Sequence, residues 1–270
     1  MTHINLFIYT VIKLTKGRDV YMIGKHYVLT GGTSGLGQAL LEILLNKQVH
    51  VTVLARNPQK IANKYDTSLL TVLKCDLQSQ EQILNLKNQF NGKIIDGIIY
   101  SSGLGYFKSI EQHSTEEMLE TYNLNIVNFN TLLTTLQPFF SHFPTVVGIG
   151  SQSAFLTQAY AAHYGASKAA FNQVLNALRI EKPNYHILTV NTGPIATPFH
   201  EKADPSLAFR QKYKSIMLDP DALAHKIIKG MLSTKQEINE PKWMHLFLRI
   251  YQIAPRFIEK HFTFLFKNKM

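Results

Sequence analysis

Short apolar runs rich in β-branched residues alternate with longer amphipathic stretches from residue 24 onward. This alternation is typical of repeated strand–helix–strand units, which build a parallel sheet. The chain therefore predicts an α/β fold, a doubly wound parallel sheet with helices on both faces. The predicted strands cover 26–30, 49–54, 69–74, 94–100, 144–150 and 185–190, and the predicted helices cover about 36–46, 79–90, 115–139, 160–180 and 219–232.

The pattern changes beyond residue 240, where aromatic side chains recur among lysines and arginines. This stretch is apolar on most helical faces, and Pro255 interrupts any continuous helix. We expect a single domain over residues 22–240, followed by a basic, aromatic and helical C-terminal extension over 241–270. Two interpretations of the extension stay open: packing on its own subunit or on a partner copy, and contact with a membrane surface.

The first 21 residues include the mostly apolar stretch INLFIYTVI (4–12). Nine residues are too few to span a bilayer, and the stretch lacks the basic region and cleavage site of a secretory signal. It is either a short peripheral anchor or the product of a translation start placed too far upstream. The second interpretation is favoured because Met22 begins MIGKHYVLTGG, in which a predicted strand follows a methionine almost at once.

The charge balance bears on the partners of the chain. The formal net charge of +10 in 270 residues raises the question of a polyanionic partner. No basic run of five residues occurs, and residues 235–270 hold seven lysines and arginines against three acidic residues. This favours a membrane surface or a partner protein over nucleic acid. The single cysteine, Cys75, excludes an intramolecular disulfide, which fits a reducing compartment. We therefore expect a cytoplasmic protein, and the basic C-terminal residues suggest that it can also associate with membranes.

A glycine-rich stretch, TGGTSGLG (30–37), follows the first predicted strand and opens a helix. Its glycines allow a tight turn and a close approach of the backbone to a pyrophosphate, while the helix N-terminus supplies N–H groups. This context predicts a dinucleotide site. The residues that we expect to contribute are Gly31, Thr33, Ser34, Gly35, Leu36 and Gly37.

The spacing Tyr-x-x-x-Lys occurs three times, from Tyr9, Tyr21 and Tyr164. The numbers of tyrosines and lysines alone produce about one such match in a chain of this length, before any argument from helix spacing. Only the third, HYGASKAAF (163–171), follows a serine at a strand end, Ser151, thirteen residues earlier. Tyr164 and Lys168 would share one face of a helix and meet Ser151 at the sheet.

The glycine spacing and the Ser151–Tyr164–Lys168 series together resemble the short-chain dehydrogenase/reductase family over about residues 25–235. The resemblance implies a Rossmann-like sheet of about seven strands, no metal ion, and a homodimer or homotetramer. It also implies hydride transfer between a nicotinamide cofactor and a small carbonyl or alcohol compound. A non-catalytic dinucleotide-binding sensor or scaffold is the alternative.

Three residues would carry the chemistry that this resemblance implies. Tyr164 would donate a proton to the oxygen of the ketone, which requires its pKa to fall by about three units from its usual value near 10. The Lys168 ammonium would favour the phenolate, and Ser151 would hold the carbonyl oxygen. Ser153 would assist if the strand continues that far.

A fourth catalytic member is implied at Asn125, thirteen residues before Pro138, where the family has an asparagine that organises a proton-relaying water. The other asparagines of this helix, Asn123, Asn128 and Asn130, are expected on the surface.

Further cofactor contacts are implied at the ends of the later strands. Asp76 and Leu77 would contact the adenine, although Asp76 is equally explained as a helix N-cap. Gly103 ends YSSG, where the family usually has Asn-Asn-Ala-Gly, and this leaves the bracing of the loop open. Past the sixth strand, NTGPIATPF (191–199) departs from the family's Pro-Gly motif. The residues expected at the nicotinamide are Pro194, Ile195 and Thr197, together with Tyr164 and Lys168.

Arg56 follows the second strand, where a carboxylate would select NAD(H). A guanidinium suits a 2′-phosphate, so NADP(H) is favoured over NAD(H), with help from Thr33, Ser34 and Lys60. The alternative is an arginine that caps a turn at Asn57. The predicted substrate lid, residues 199–217, mixes apolar and charged side chains, which favours an apolar or amphipathic carbonyl compound.

Overall fold

The computed structural model describes residues 22–65, 67–263 and 266. The expectations for residues 1–21, including the apolar stretch and the first tyrosine–lysine match, lie outside the described residues. Met22, the first described residue at the N-terminal end, is 2% exposed and packs in the core.

Seven parallel strands form one sheet, in the order β3-β2-β1-β4-β5-β6-β7. The doubly wound α/β fold expected from the sequence is therefore confirmed. The strands are β1 His26–Thr30, β2 His50–Ala55, β3 Leu70–Lys74, β4 Ile95–Tyr100, β5 Phe140–Ile149, β6 His186–Thr192 and β7 Glu237–Glu240.

Helices cover both faces of this sheet. They are α1 Gly35–Asn46, α2 Gln59–Ala62, α3 Gln80–Asn85, α4 Thr115–Tyr122, α5 Asn128–Leu136, α6 Ala162–Glu181, α7 Phe199–Ala203, α8 Ala208–Tyr213, α9 Pro220–Met231, α10 Lys242–Tyr251 and α11 Pro255–His261. Single-turn 3₁₀ segments cover Leu86–Gln89, Ile110–Gln112, Gln137–Phe139, Gln152–Phe155 and Lys214–Ile216, and a π-helical turn, Asn123–Val127, joins α4 to α5.

The core has two halves, one on each face of the sheet. On one face, leucines of α1 such as Leu40 and Leu44 pack with Ile227 and Ile228 of α9. On the other, Leu132 of α5 and side chains of α3 and α6 pack under β4 and β5. Because each fully buried leucine or isoleucine stabilises the fold by about 1.5–3 kcal/mol, these helices are fixed on the sheet.

Three predicted elements differ from the structure by more than two residues, and strand β7 was not predicted. Strand β5 begins at Phe140, four residues early, and includes Pro144, which has no N–H for the ladder. The helix predicted over 115–139 is split by its π-helical turn, and the helix predicted over 79–90 ends as a 3₁₀ turn. Strand β7 was not among the six apolar runs, because its four residues include only one apolar side chain, Ile238.

Candidate active site

The carboxyl ends of the strands bring the predicted cofactor residues to one edge of the sheet. The strand order reverses between β1 and β4, and ligands of open α/β sheets bind at such a point. The glycine-rich loop leaves β1 there, next to the loop that follows β4. Ser151 and the 193–197 loop follow β5 and β6 at the same edge.

Three glycines of the loop after β1 are held in close backbone contact. A Cβ on Gly31, whose φ is +70°, would lie 2.8 Å from the carbonyl oxygen of Ser101, and one on Gly37 would lie 2.1 Å from the oxygen of Gly31. A Cβ on Gly35 would lie 2.7 Å from Cγ2 of Thr197. Side chains at these positions would clash with neighbouring backbone and with Thr197, so only glycine allows the tight turn that brings this loop to the N-terminus of α1. We call this loop and the start of α1 the cradle, because such a turn can accept a pyrophosphate.

The first turn of α1 leaves N–H groups available for an anion. Ser34 is the N-cap residue and is exposed, and its hydroxyl does not cap the helix. Thr33 beside it is half-buried. Leu36 was expected at the cofactor, but its side chain is 5% exposed and packs in the core. Only the backbone of Leu36 can therefore contact a ligand, whereas Thr33 and Ser34 can offer side chains.

Thr30 braces the loop that lacks the two asparagines usual in the family. Its hydroxyl oxygen accepts hydrogen bonds from the N–H groups of Ser101 and Ser102, each at 3.1 Å. Gly103, next along this loop, lies against Lys168 Nζ and Asn125 Oδ1. The side chain of Thr30 thus holds the backbone of this loop, a role that the sequence did not predict.

Arg56 and Lys60 are exposed beyond β2. Arg56 makes no hydrogen bond or ion pair with the residues that the structure describes, so its guanidinium is available to a ligand. Parallel pairing of Ala55 with Lys74 places the start of the Asp76 loop beside it.

Asp76 is not the N-cap of the following helix. The Ser79 hydroxyl accepts from the N–H of Gln82 at 3.3 Å and takes that position, whereas Asp76 Oδ1 accepts from the N–H of Gln78 at 3.0 Å. Leu77 is buried, and its carbonyl oxygen accepts a 2.7 Å hydrogen bond from Asn128 Nδ2.

The hydrogen bond from Asn128 to Leu77 shows that the prediction of a surface position for Asn128 is wrong. Its side chain is 3% exposed, because a buried carbonyl needs a donor at that point. Asn130 is exposed and Asn123 is half-buried.

Ser151, Tyr164 and Lys168 come together, as their spacing predicted. Tyr164 and Lys168 lie one turn apart on α6, with Lys168 Nζ 6.0 Å from the centre of the Tyr164 ring. Lys168 Nζ donates to the carbonyl oxygen of Ile149 at 2.9 Å, at the end of β5. Ser151 is 6% exposed, and its hydroxyl oxygen accepts from the N–H of Ser153 at 3.1 Å.

The protein alone shifts both titrating groups toward their neutral forms. Burial raises the pKa of Tyr164 above its usual value, and a hydrogen bond with Ser151 opposes that shift. Burial also lowers the pKa of Lys168 to about 8. The direction for Tyr164 is opposite to the lowered pKa that the sequence suggested, because desolvation outweighs the hydrogen bond.

Asn125 lies in the π-helical turn and is 1% exposed. Its Nδ2 donates to the carbonyl oxygen of Leu104 and to the Ser167 hydroxyl, both at 2.8 Å. Its Oδ1 accepts from the N–H of Leu104 at 2.9 Å. Ser167 in turn donates to the carbonyl oxygen of Tyr164 at 2.8 Å. The side chain of Asn125 therefore ties the loop after β4 to the helix that carries the tyrosine.

Ser153 does not take the place of Ser151. The strand ends at Ile149, and a 3₁₀ turn over Gln152–Phe155 follows. In this turn the Ser153 hydroxyl donates to Gln158 Oε1 at 3.3 Å. The condition for its assistance, a strand that continues past Ser151, is not met.

Aromatic side chains surround the Tyr164 ring. The ring centres of Phe107 and Phe199 lie 5.8 and 5.6 Å from it, and Phe209 lies 4.9 Å from Phe107. Gly105 makes room for the tyrosine, since a Cβ there would lie 2.5 Å from Tyr164 Cδ2. Sequence reasoning missed Gly105 and Phe107, whose loop has no periodic pattern.

The loop after β6 packs against the glycine-rich loop through Thr197. Its backbone is fixed by hydrogen bonds from the N–H of Leu218 to the Pro194 oxygen at 2.8 Å and from the N–H of Ala196 to the Leu218 oxygen at 3.0 Å. The carbonyl oxygen of Ile195 lies 3.1 Å from Nε2 of the buried His200. Pro194, Ile195 and Thr197 therefore lie on one ordered loop beside the cradle.

The C-terminal extension packs beside this site. Gln152 Nε2 donates to the carbonyl oxygen of Pro241 at 3.2 Å, and the ring of Phe155 lies 5.5 Å from that of His245. The Tyr251 hydroxyl accepts from the N–H of Thr157 at 3.2 Å. The loop between Ser151 and Tyr164 thus rests on α10, as expected for an extension that packs on its own subunit.

Comparison with known proteins agrees with this geometry. The family model described as short chain dehydrogenase matches residues 25–207. The Helicobacter pylori protein VdlC, described as a short-chain type dehydrogenase/reductase, is 25% identical over 182 residues, 65% of this chain and 67% of its own length. The 3-ketodihydrosphingosine reductase of Mus musculus is 23% identical over 253 residues, 84% of this chain and 74% of its own. The ipsdienol dehydrogenase of Ips pini is 25% identical over 235 residues, which cover 77% of this chain and 92% of its own length.

Solved structures share the fold. A short-chain dehydrogenase/reductase from Burkholderia phymatum, in complex with NAD, superimposes with a TM-score of 0.78 at 15% identity, covering 87% of this chain and 95% of its own. One from Burkholderia cenocepacia, in complex with NADP, gives 0.74 at 17% identity, covering 89% and 98%. The match of the family model to most of the chain decides the assignment. This chain belongs to the short-chain dehydrogenase family and is an oxidoreductase that acts on an alcohol or carbonyl group.

Proposed function

We propose that the protein reduces an apolar ketone or aldehyde with NADPH, or catalyses the reverse oxidation. The observation that carries this proposal is the convergence of Ser151, Tyr164 and Lys168 beside the glycine cradle. The cradle suits a dinucleotide because Gly31 and Gly37 hold the loop in a tight turn and the Ser34 hydroxyl does not cap the N–H groups that begin α1. A bound nicotinamide cofactor would supply or accept the hydride.

Tyr164 is the proton donor to the carbonyl oxygen in this mechanism. Ser151 lies close enough to its hydroxyl to oppose the rise in its pKa, so we expect both groups to face the oxygen of the substrate. Burial keeps the phenol protonated, which is the form that reduction requires. In the reverse direction the same phenol must lose its proton, and a positive charge beside it favours that loss.

Lys168 supplies that charge and passes the proton onward. Its ammonium is held at the end of β5 by Ile149 and lies near the tyrosine ring. A pKa of about 8 lets it exchange protons near neutral pH. Asn125, whose side chain is fully engaged with Leu104 and Ser167, would act on a relaying water through its backbone.

Arg56 is the group that would select NADP(H). It is an exposed cation beside the cradle, and Lys60 follows one turn later. A guanidinium can bond a 2′-phosphate bidentately. Asp76 and Leu77 would flank the adenine, and Pro194, Ile195 and Thr197 would hold the carboxamide of the nicotinamide.

The aromatic surroundings of Tyr164 favour an apolar substrate. Phe107, Phe199 and Phe209 pack with Tyr164 in one apolar cluster, and an apolar cluster beside a reacting group suits an apolar ligand. Relatives named 3-ketodihydrosphingosine reductase and ipsdienol dehydrogenase support a ketone or alcohol as the reacting group.

A titration followed by turnover tests the proposal. Purified protein is titrated with NADPH and NADH while nucleotide fluorescence is recorded, and a panel of apolar ketones and aldehydes is then added at saturating NADPH. Tight binding of NADPH and its oxidation by one of these compounds are expected. Failure to bind either nucleotide would refute the cofactor site, and binding without turnover on any of them would favour a sensor.

A further inference from the structure

We propose that α10 and α11 form a docking surface for an anionic lipid bilayer. The surface, here called the apolar stripe, consists of large apolar side chains of α10, of α11 and of the turn between them that remain exposed. Its members are Trp243 (60% exposed), Leu246 (64%), Phe247 (45%), Ile250 (54%), Ile253 (82%) and Phe257 (62%).

Helical spacing puts four of these side chains on one surface. Positions 243, 246, 247 and 250 follow the i, i+3, i+4, i+7 series, so they share a face of α10. The opposite face is already occupied, because Leu248 and Tyr251 are 4% and 3% exposed. The helix is therefore apolar on two sides, and the fold buries only one of them.

The stripe is a patch and not a scatter of single residues. Among the described residues, sixteen large hydrophobic side chains are exposed, and seven of them lie between residues 243 and 262. The other nine are spread over the preceding 220 positions or so, as on ordinary protein surfaces. A continuous exposed apolar patch marks a contact surface.

The charges beside the stripe favour an anionic surface as its partner. Residues 242–261 include four exposed cations and one carboxylate, a balance of +3. The carboxylate, Glu259, is engaged by Arg256 and by the Tyr251 hydroxyl. If two copies paired through this face, two surfaces with a net charge of +3 each would repel one another. Anionic headgroups match that charge, and the exposed cations that would meet them are Lys242, Arg249, Arg256 and Lys260.

The geometry suits a surface contact. In the part of the chain that the structure describes, no helix is long and apolar enough to cross a membrane. An amphipathic helix of ten residues with basic flanks can instead lie in the headgroup region. Because Tyr251, on the buried side of α10, bonds to Thr157, the helix that would meet the bilayer packs on the loop that precedes Tyr164.

Trp243 makes the test direct, because it is the single tryptophan of the chain. Full-length protein is mixed with phosphatidylcholine vesicles, with or without phosphatidylglycerol, and sedimentation and tryptophan emission are measured. Binding and a blue shift are expected on the anionic vesicles, and added salt should weaken both. Absence of a blue shift with both kinds of vesicle would overturn the proposal.

Two variants locate the contact. Leu246→Ser combined with Ile250→Ser should lower binding to anionic vesicles at least tenfold, since each exposed side chain would enter the interface. Ile180→Ser removes an equally apolar residue, 82% exposed on α6, and should bind as the wild type does. Thermal unfolding of both variants serves as the check on folding.

Other outcomes would identify a different occupant. Equal binding by the double variant and the wild type would place the contact elsewhere in the chain, for instance in residues 1–21, which both proteins contain. A dimer in light scattering that the double variant abolishes, without vesicle binding, would show that the stripe pairs with a second copy. Either result overturns the proposal.

Discussion

Lys168 donates a 2.9 Å hydrogen bond from Nζ to the carbonyl oxygen of Ile149, inside the protein. This bond fixes the side chain but supplies no negative charge, so burial lowers the pKa to about 8. The lysine in the unfolded chain keeps a pKa near 10.4. Between these two values the unfolded state binds more protons than the folded state, and stability must rise with pH.

We therefore predict that Lys168→Met removes a pH dependence of stability. From pH 8 to pH 10 the free energy of unfolding of the wild type should rise by on the order of 1–3 kcal/mol relative to that of the variant. Urea unfolding at a series of pH values measures this difference. Lys87→Met, at an exposed lysine, should behave as the wild type does, and a flat difference for Lys168→Met would contradict a lowered pKa.

Tyr164→Phe should abolish proton donation while leaving the cradle intact. We expect turnover to fall at least about 100-fold, because general acid catalysis contributes that much or more. Affinity for NADPH, measured by fluorescence titration, should change little. Tyr160→Phe alters a neighbouring tyrosine that is 38% exposed, and it should keep full turnover. Comparable activity in the two variants would show that another group donates the proton.

Arg56→Ala should reduce affinity for NADPH about tenfold and leave affinity for NADH unchanged, because a charge-assisted contact to the 2′-phosphate is lost. Titration with both nucleotides gives the ratio. Lys87→Ala removes the same charge from an exposed position after α3 and controls for net charge. A preserved preference in Arg56→Ala would mean that another residue, with Lys60 the first to examine, reads the phosphate.

Thr30→Val should destabilise the protein by about 1–2 kcal/mol, because two partly buried N–H groups lose their acceptor while the side-chain shape is kept. Amide exchange at Ser101 and Ser102 should also accelerate. Thr30→Ser keeps the hydroxyl and should lose only the roughly 1 kcal/mol of one buried methyl group. If both variants lose the same stability and exchange alike, the hydroxyl does not brace the loop.

The sequence predicted the parts of the fold and site that depend on local periodicity. Apolar runs located six strands. The four-residue spacing, together with the strand-end Ser151, paired Tyr164 with Lys168, because helix geometry fixes that distance. The burial of Asn128 was also within reach, since it lies three residues after Asn125 and near the same helix face. Four asparagines in one helix obscured that signal.

Contacts between distant loops could not be predicted in the same way. Gly105 and Phe107 contact Tyr164 because the loop after β4 folds back over it. The spacing of these two residues along the chain does not predict that conformation. The bracing role of Thr30 likewise depends on β1 and β4 being neighbours. Strand β7 has one apolar side chain, so it forms because the edge of β6 needs a partner and not because of its own pattern.

The contacts of Asn125 have a consequence for ligand binding. Its amide holds both backbone groups of Leu104 and, through Ser167, the first turn of α6. Fixing a backbone residue costs about 1–2 kcal/mol of conformational entropy, and here the loss occurs when the chain folds. A ligand that binds at this loop therefore does not have to order the backbone of Leu104, and that part of the entropy cost does not reduce its affinity.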